Sequence, residues 1–449
     1  MEETEKRAPL PEAFLHRMRL ELEEGGYEAF LKALEQEEIK SLRINPVKMD
    51  RVSFMPKEWQ LQRVPWEANG YYYRTDGDPE ALPGRHPFHA AGAYYIQEPS
   101  AMAPVTALDP LPGERVLDLC AAPGGKSTQI AAHMGNDGIL FANEVHPSRA
   151  RILSQNMERM GVRNGLVINM DVKALSFRFP GYFDRILVDA PCSGEGMFRR
   201  GDTARREWSP ENVAMCAARQ AEILDEAAVM LKEGGILCYS TCTFSNKEDE
   251  EAVWDFLGRH DHFKLIRMEK LMPHKIRGEG QFYALLKRDG ERSRPVRAVS
   301  AERKKHRKAP EWERLFEGFA GDFLQEVPWL ERERIFLFGE SLYLAPEGMP
   351  SLEGLKVLRP GLQLGTIKKG RFEPAHALAL ALKAGEARRS VELSSKGDEI
   401  QRYLRGETIP APENCGAGWA LVLVDGISIG FAKQAGGRLN NHYPRGLRI

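Results

Sequence analysis

One stretch of thirteen residues constrains this chain more than any other: Val116-Leu117-Asp118-Leu119-Cys120-Ala121-Ala122-Pro123-Gly124-Gly125-Lys126-Ser127-Thr128. An apolar strand ends at Leu119. A turn of small residues follows, and a helix opens near Lys126 and runs to Gly135. Two glycines at the turn leave no Cβ in the way of a ligand. The first N–H groups of the helix have no partner inside it and face whatever the turn holds. In sheets of alternating strand and helix, this order grips a nucleotide-like cofactor.

The stretch also imitates a phosphate loop, G-x-x-x-x-G-K-[ST]. Gly125-Lys126-Ser127 fill its last three places, but the first glycine falls on Cys120 and Pro123 sits inside the loop. Ile186-Leu187-Val188-Asp189 resembles the acidic strand end that holds magnesium in ATPases. An ATPase is therefore the rival enzyme, and the missing glycine counts against it.

At 449 residues the chain exceeds one ordinary core, so two to four domains are expected. Charged residues make up 28% and apolar ones 42%, as in a soluble globular protein. Met1 to Arg7 are acidic and carry no apolar core segment, and no apolar run reaches spanning length. No signal peptide and no membrane helix are expected, and the cytoplasm is the expected location. Six cysteines in so long a chain are no disulfide framework. None of their spacings matches a zinc site, so no metal is expected. The net charge of −1 hides an asymmetry. Residues 1–39 hold eleven acids and five bases, residues 287–308 hold ten bases and three acids, and no acid follows Asp425. Such local basic segments suit a polyanion, and they equally suit a solvated linker and tail.

Phe14, Met18 and Leu22, then Phe30 and Leu34, recur at helical spacing on either side of Gly25-Gly26. Ser41 to Asn45 alternates like a strand, and Tyr71-Tyr72-Tyr73 reads as packing rather than a base-stacking platform. Residues 1–102 thus form an N-terminal α+β module. From residue 103 to 288, strand and helix alternate as in a parallel sheet covered on both faces. Strands are expected at 115–119, 138–143, 165–170, 184–188 and 235–240. A long helix has Ser209 as N-cap, Pro210 as first residue and Gly234-Gly235 as its stop. Residues 289–310 read as a basic linker and 311–388 as a small mixed domain, with a strand over 336–345 and a helix over 374–382. Residues 389–449 read as a β-rich module.

Ligands bind beyond the carboxyl ends of strands in such a Rossmann-like sheet. Cys120, Glu144, Asp171, Asp189 with Cys192, and Cys242 all stand there. Glu144 lies 19 residues after Gly125, where a carboxylate accepts both ribose hydroxyls of an adenosine. The residues alone leave a nicotinamide cofactor and S-adenosyl-L-methionine both open, although G-x-G-x-x-G is missing. Cys216, Cys238 and Cys415 read as small buried hydrophobes. Cys192 and Cys242 leave the sheet beside the cofactor instead.

The run from Leu119 to Lys126, Asp189-Ala190-Pro191-Cys192-Ser193-Gly194 and Ser240-Thr241-Cys242 resembles the NOL/NOP/Sun family of RNA cytosine-5 methyltransferases. Gln97 to Ser100 and Gly278 to Phe282 extend the resemblance, which covers essentially the whole chain. Arg402 to Thr408 and Asn441 to Leu447 are similar to the PUA-like end of the bacterial RsmF type, which methylates 16S ribosomal RNA. The resemblance implies a Rossmann-like S-adenosyl-L-methionine-dependent methyltransferase core between an RNA-binding N-terminal module and a PUA-like RNA-binding domain. It implies that Cys120, Ala121, Ala122, Pro123, Gly124, Gly125 and Lys126 form the methionine-side loop of the cofactor. Glu144 would then hold the ribose, Asp171 the adenine edge, and Asp189 would sit between cofactor and target base. It makes Cys242 the attacking thiol and Cys192 the thiol that releases product. On the residues alone the two thiols are interchangeable, since Pro191-Cys192 looks like the attacking Pro-Cys of DNA cytosine methyltransferases. The family's Glu-Asn-Glu run after the second thiol is here Glu248-Asp249-Glu250.

The chemistry fits the residue types. Cytosine C5 is a poor nucleophile until a thiolate adds at C6, and covalent attack splits one hard step into easier ones. A thiol needs a lowered pKa or a neighbouring base to attack at neutral pH. A donor such as Lys126, or Asp189 when protonated, can stabilise charge on the ring. The base must also leave its stack. The expectation is a monomeric enzyme forming 5-methylcytosine in 16S rRNA, alone or in the 30S subunit. The same chemistry on tRNA, and a non-catalytic ribosome-assembly protein, are the alternatives.

Overall fold

The computed structural model describes residues 8–23, 25–49, 55–75, 81–291 and 310–449. The acidic Met1 to Arg7 and most of the basic 289–310 segment lie outside the described residues. No helix among the described residues is long and apolar enough to cross a membrane.

An eight-stranded sheet forms the centre. Its elements in chain order are β1 (Arg115–Asp118), α1 (Gly125–His133), β2 (Ile139–Asn143), α2 (Pro147–Arg159), β3 (Gly165–Ile168), α3 (Val172–Arg178), β4 (Phe183–Asp189), α4 (Pro210–Met230), β5 (Leu231–Thr241), α5 (Glu250–Arg259), β6 (Phe263–Leu271), β7 (Gln281–Arg288) and β8 (Val357–Pro360). The strand order is β6-β7-β5-β4-β1-β2-β3-β8. β1 to β5 pair in parallel, while β6, β7 and β8 run antiparallel to their neighbours. The apolar runs of β1 to β4 are buried on both faces, as helix-covered parallel strands require. The chain winds away from β1 in both directions, so β1 and β4 flank the point where strand order reverses. A crevice forms there beyond the carboxyl ends.

Local signals explain most element ends. Ser209 accepts a hydrogen bond from the Asn212 N–H at 3.1 Å and starts α4. Asp171 does the same for α3, accepting from Lys173 N–H at 3.0 Å. α4 stops at Met230, not at the glycine pair. Gly234 has φ +68° and lies inside β5, where the register to β4 shifts between Phe183 and Arg185. The pair is therefore a bulge within a strand rather than a helix stop.

Before the sheet lie the helices Glu12–Glu21 and Gly26–Glu35 and four short strands. Tyr71, Tyr72 and Tyr73 are buried there, as packing residues. After residue 310 the expected single strand over 336–345 is a hairpin, Ile335–Phe338 and Ser341–Leu344, turned at Gly339 with φ +61°. Val357–Pro360 of the same mixed region leaves it and pairs with β3 as β8. Five strands from Ser390 to Asn441 make the last sheet. Its Val422, Ile429 and Ala432 share one apolar core with Leu42 and Tyr94, so the two ends of the chain pack together.

Candidate active site

The strand-to-helix turn after β1 is held from two sides. Gly124 takes φ +112°, and α1 begins at the next residue. Arg149 of α2 donates to the Ala122 carbonyl at 2.9 Å, and Asn156 donates to the Pro123 carbonyl at 2.9 Å. From the N-terminal module, Arg43 donates to Gly125 O at 3.0 Å and Thr128 Oγ1 at 2.9 Å. Arg43 is 1% exposed, and burial lowers its guanidinium to about 10. The turn is thus fixed before any ligand arrives, which is what a preorganised site needs.

A cavity of about 620 Å³ opens beyond the carboxyl ends. Cys120, Ala122, Glu144 and Asp171 line it on the β1–β3 side, and Asp189, Cys192 and Cys242 on the β4–β5 side. Glu144 is buried, accepts from the His146 N–H at 2.9 Å and lies 3.4 Å from Arg149. Asp171 lines the cavity while capping α3. Ala121, Pro123, Gly124 and Gly125 shape the turn rather than the cavity wall. Lys126 reaches across β1 to Asp189, with Nζ 2.8 Å from Oδ2. Burial opposes the Lys126 charge, yet Asp189 outweighs it and raises the ammonium above its ordinary value. The lysine that the ATPase reading would spend on phosphate is therefore already paired. Asp189 Oδ1 also accepts from Ser240 at 2.8 Å and Gln281 at 3.3 Å.

The two thiols meet at the β4–β5 end, Sγ to Sγ 3.4 Å. Their environments split them. The hydrogen bond between the two sulfurs lowers Cys242 below the ordinary thiol value, against burial and the Asp189 charge. Cys192 itself is pushed well up by that hydrogen bond and by burial. The pair is split, with one sulfur shifted toward the thiolate and the other away from it. The remaining cysteines behave otherwise: burial pushes Cys120 and Cys238 up, and Cys216 is buried in α4. Cys415, expected to be buried, is half-buried beside a turn.

A carboxylate brackets the pair. Glu248 is fully buried, and its Oε2 accepts from the Ser193 N–H at 2.9 Å and from Gln220 at 2.9 Å. Its Oε1 accepts from the Ser193 hydroxyl and, at 3.4 Å, from Thr243. Ser193 and Thr243 are the residues directly after the two thiols, and their hydroxyls are 2.9 Å apart. Asp249 holds the strand end through Thr241 and is paired with Lys270 at 3.0 Å. Glu195 accepts from Phe244 N–H at 3.0 Å, from Trp208 at 2.8 Å and from Arg17 of the first helix at 2.7 Å. Gly196 donates to the Cys242 carbonyl at 2.8 Å.

Four family models match in succession. They describe the N-terminal domain of 16S rRNA methyltransferase RsmF (residues 10–99), 16S rRNA methyltransferase RsmB/F (105–288), the first C-terminal domain of RsmF rRNA methyltransferase (318–382) and the methyltransferase RsmF PUA domain (389–449). The ribosomal RNA small subunit methyltransferase F of Klebsiella pneumoniae is 34% identical over 97% of this chain and 96% of its own. The Escherichia coli protein of that name is 34% identical over the same shares. The chain belongs to the RsmF family. A methyltransferase homolog from Pyrococcus horikoshii superposes with TM-score 0.52 at 28% identity, over 62% of this chain and 100% of that one. NSun6 from Pyrococcus horikoshii, solved with SFG, superposes with TM-score 0.55 at 20% identity, over 63% and 99%, and speaks for the fold alone.

RsmF-family enzymes are S-adenosyl-L-methionine-dependent methyltransferases, and this chain is one. Its cavity suits that cofactor. Glu144 and Asp171 are acceptors for hydroxyl and amino groups, Val145, Val172 and Ile223 give apolar walls, and Asp189 is an anion for a sulfonium. The structure brings together the cofactor loop, Glu144, Asp171, Asp189, Cys192 and Cys242, all named from sequence. Sequence reasoning passed over Ser193, Gln220 and Glu195, and it registered Glu248 only as part of a family run. The signal available for Ser193, Glu195 and Glu248 was their polarity at positions flanking the two thiol motifs; Gln220, inside α4, carried none.

Proposed function

We propose that this RsmF-family enzyme forms 5-methylcytosine in 16S rRNA, working in the cytoplasm as a monomer on the RNA or the 30S subunit. The observation that carries the chemistry is the thiol pair, 3.4 Å apart and oppositely shifted, at the end of the cofactor cavity. Glu144 and Asp171 would hold the adenosine half and Asp189 the methionine half. The cofactor supplies an electrophilic methyl group for C5. The Cys242 thiolate adds to C6 of the extruded cytosine and makes C5 nucleophilic. Lys126, held by Asp189, donates to the pyrimidine and stabilises charge in the ring. After methylation a water molecule takes the C5 proton, the freed electron pair re-forms the C5–C6 double bond and breaks the C6–sulfur bond, and the departing Cys242 thiolate accepts a hydrogen bond from Cys192. The family's own 16S rRNA enzymes and the acid-free tail after Asp425 support the choice of RNA.

The test is transfer of labelled methyl groups to unmodified 30S subunits, free 16S RNA and tRNA. Label on a 16S cytosine that is lost in Cys242→Ala is the expected result. Cys192→Ala is expected to accumulate a protein–RNA adduct that resolves slowly. Adduct formation that fails only in Cys192→Ala would exchange the two roles. Label on tRNA alone would replace the substrate.

A further inference from the structure

A second cavity, of about 970 Å³, opens where the N-terminal module, α2 and the last module meet. Its walls include Arg85 and His86, Gln155 and Arg159 of α2, and Gln401 and Tyr443. The thiol chemistry uses none of these. Glu158 is the one acidic side chain in the described walls, and it pairs with Arg359 at 3.3 Å. Arg159 donates to the carbonyls of His89 at 3.0 Å and Tyr94 at 3.2 Å and to Asn156 at 3.2 Å. Among the described residues no carboxylate neutralises it. Behind it Lys48 donates to carbonyls of Ala91 and Ser428, and burial beside Arg159 lowers its ammonium to about 7, so Arg159 carries the lasting charge. Arg159, a cation held only by dipoles in this wall, favours an anion.

The rest of the wall is neutral and polar. Burial lowers His86 and His89 to about 4 and His376 to about 3, so all three rings offer uncharged donors and acceptors at neutral pH. The His376 Nδ1 is buried without a partner among the described residues. Tyr443 stands edge-on to the His376 ring, 5.3 Å between centroids. The acid-free tail supplies Tyr443, Pro444 and Leu447 to the wall. Charge for phosphate, rings for bases and uncharged hydrogen-bonding groups are what an unpaired RNA strand needs.

We propose that this cavity seats an unpaired stretch of the substrate RNA, with a phosphate on Arg159 and a base among His86, His376 and Tyr443. The proposal rests on the RNA reading above. The seat is linked to the cofactor turn through one helix. Arg149 and Asn156 of α2 hold that turn, and Gln155 and Arg159 of the same helix line the second cavity. From Arg149 to Arg159 the helix rises about 15 Å. An RNA reaching both cavities is therefore read twice, once as a cytosine and once as its distant context.

The test uses the full-length protein with 16S RNA containing 4-thiouridine, together with methyl-transfer kinetics. Gln155→Glu combined with Gln401→Glu places two anions in the wall without removing a protein contact. The expected result is a KM for RNA raised about tenfold with kcat held, and a salt slope of RNA binding lowered by about one in Arg159→Gln. Cross-links are expected in peptides spanning residues 84–90 and 443–449. An unchanged KM, cross-links confined to the cofactor cavity, or inorganic phosphate that binds here and is not displaced by 16S RNA would each overturn the proposal. No transfer to any RNA by the wild type would sink the proposed reaction instead.

Discussion

Two residues show how burial is used at this site. Glu248 has no room for water and spends its oxygens on the residues following each thiol. Glu248→Gln keeps the volume but turns one acceptor into a donor facing Ser193. Misplacement of a reacting group by a fraction of an ångström is expected to lower kcat by up to about a hundredfold. Cofactor affinity should hold, and the pH profile of Cys242 alkylation should move downward, because the Glu248 charge beside it raises the thiol. An unmoved profile would show that the bracket does not set the thiols. Asp118 is the opposite case. It is fully buried at the end of β1, accepts from Ser127 at 2.6 Å, and burial raises it from 3.8 to about 7. A raised carboxyl favours the folded state fully below the unfolded value and loses that contribution as pH rises through the folded one. Asp118→Asn, which mimics the protonated form, should therefore gain on the wild type between pH 4 and pH 7. The gap should approach about 4 kcal/mol, read from denaturant midpoints at several pH values.

At the level of elements, the site depends on how loops cross. Gly196 sits on the Cys242 carbonyl, and a Cβ there would lie 2.8 Å from that oxygen. Gly196→Ala is expected to push the β5 end away from β4 and cost between about ten- and a hundredfold in kcat, with cofactor binding intact by calorimetry. Much of this level was legible beforehand. The strand-end residues could be read because each parallel strand is a short apolar run that stops at a polar residue. The hairpin at 335–344 was not legible, because its two apolar strands are separated only by Gly339-Glu340 and read as one run. The Gly234-Gly235 bulge was mistaken for a helix stop because glycine punctuates both structures. The roles of Ser193, Gln220 and Glu248 were not legible, because hydrogen bonds between distant segments leave no periodic trace.

For the whole molecule, the N-terminal module is tied into the chemistry rather than appended to it. Arg17 meets Glu195, which is fully buried and also holds Trp208 and Phe244 beside the thiol strand. Removing one partner of such a pair strands the other charge. Arg17→Met is expected to cost about 3 kcal/mol of stability, with Arg17→Lys recovering part of it in the same denaturant titration. β8 carries a different consequence. The seven other strands are complete once Arg288 has been made, yet the free edge of β3 waits for Val357–Pro360. A nascent chain therefore leaves the ribosome with an open row of β3 N–H and C=O groups, and an unpaired edge recruits stray strands. During synthesis the late segment acts as an intramolecular guard for the early one.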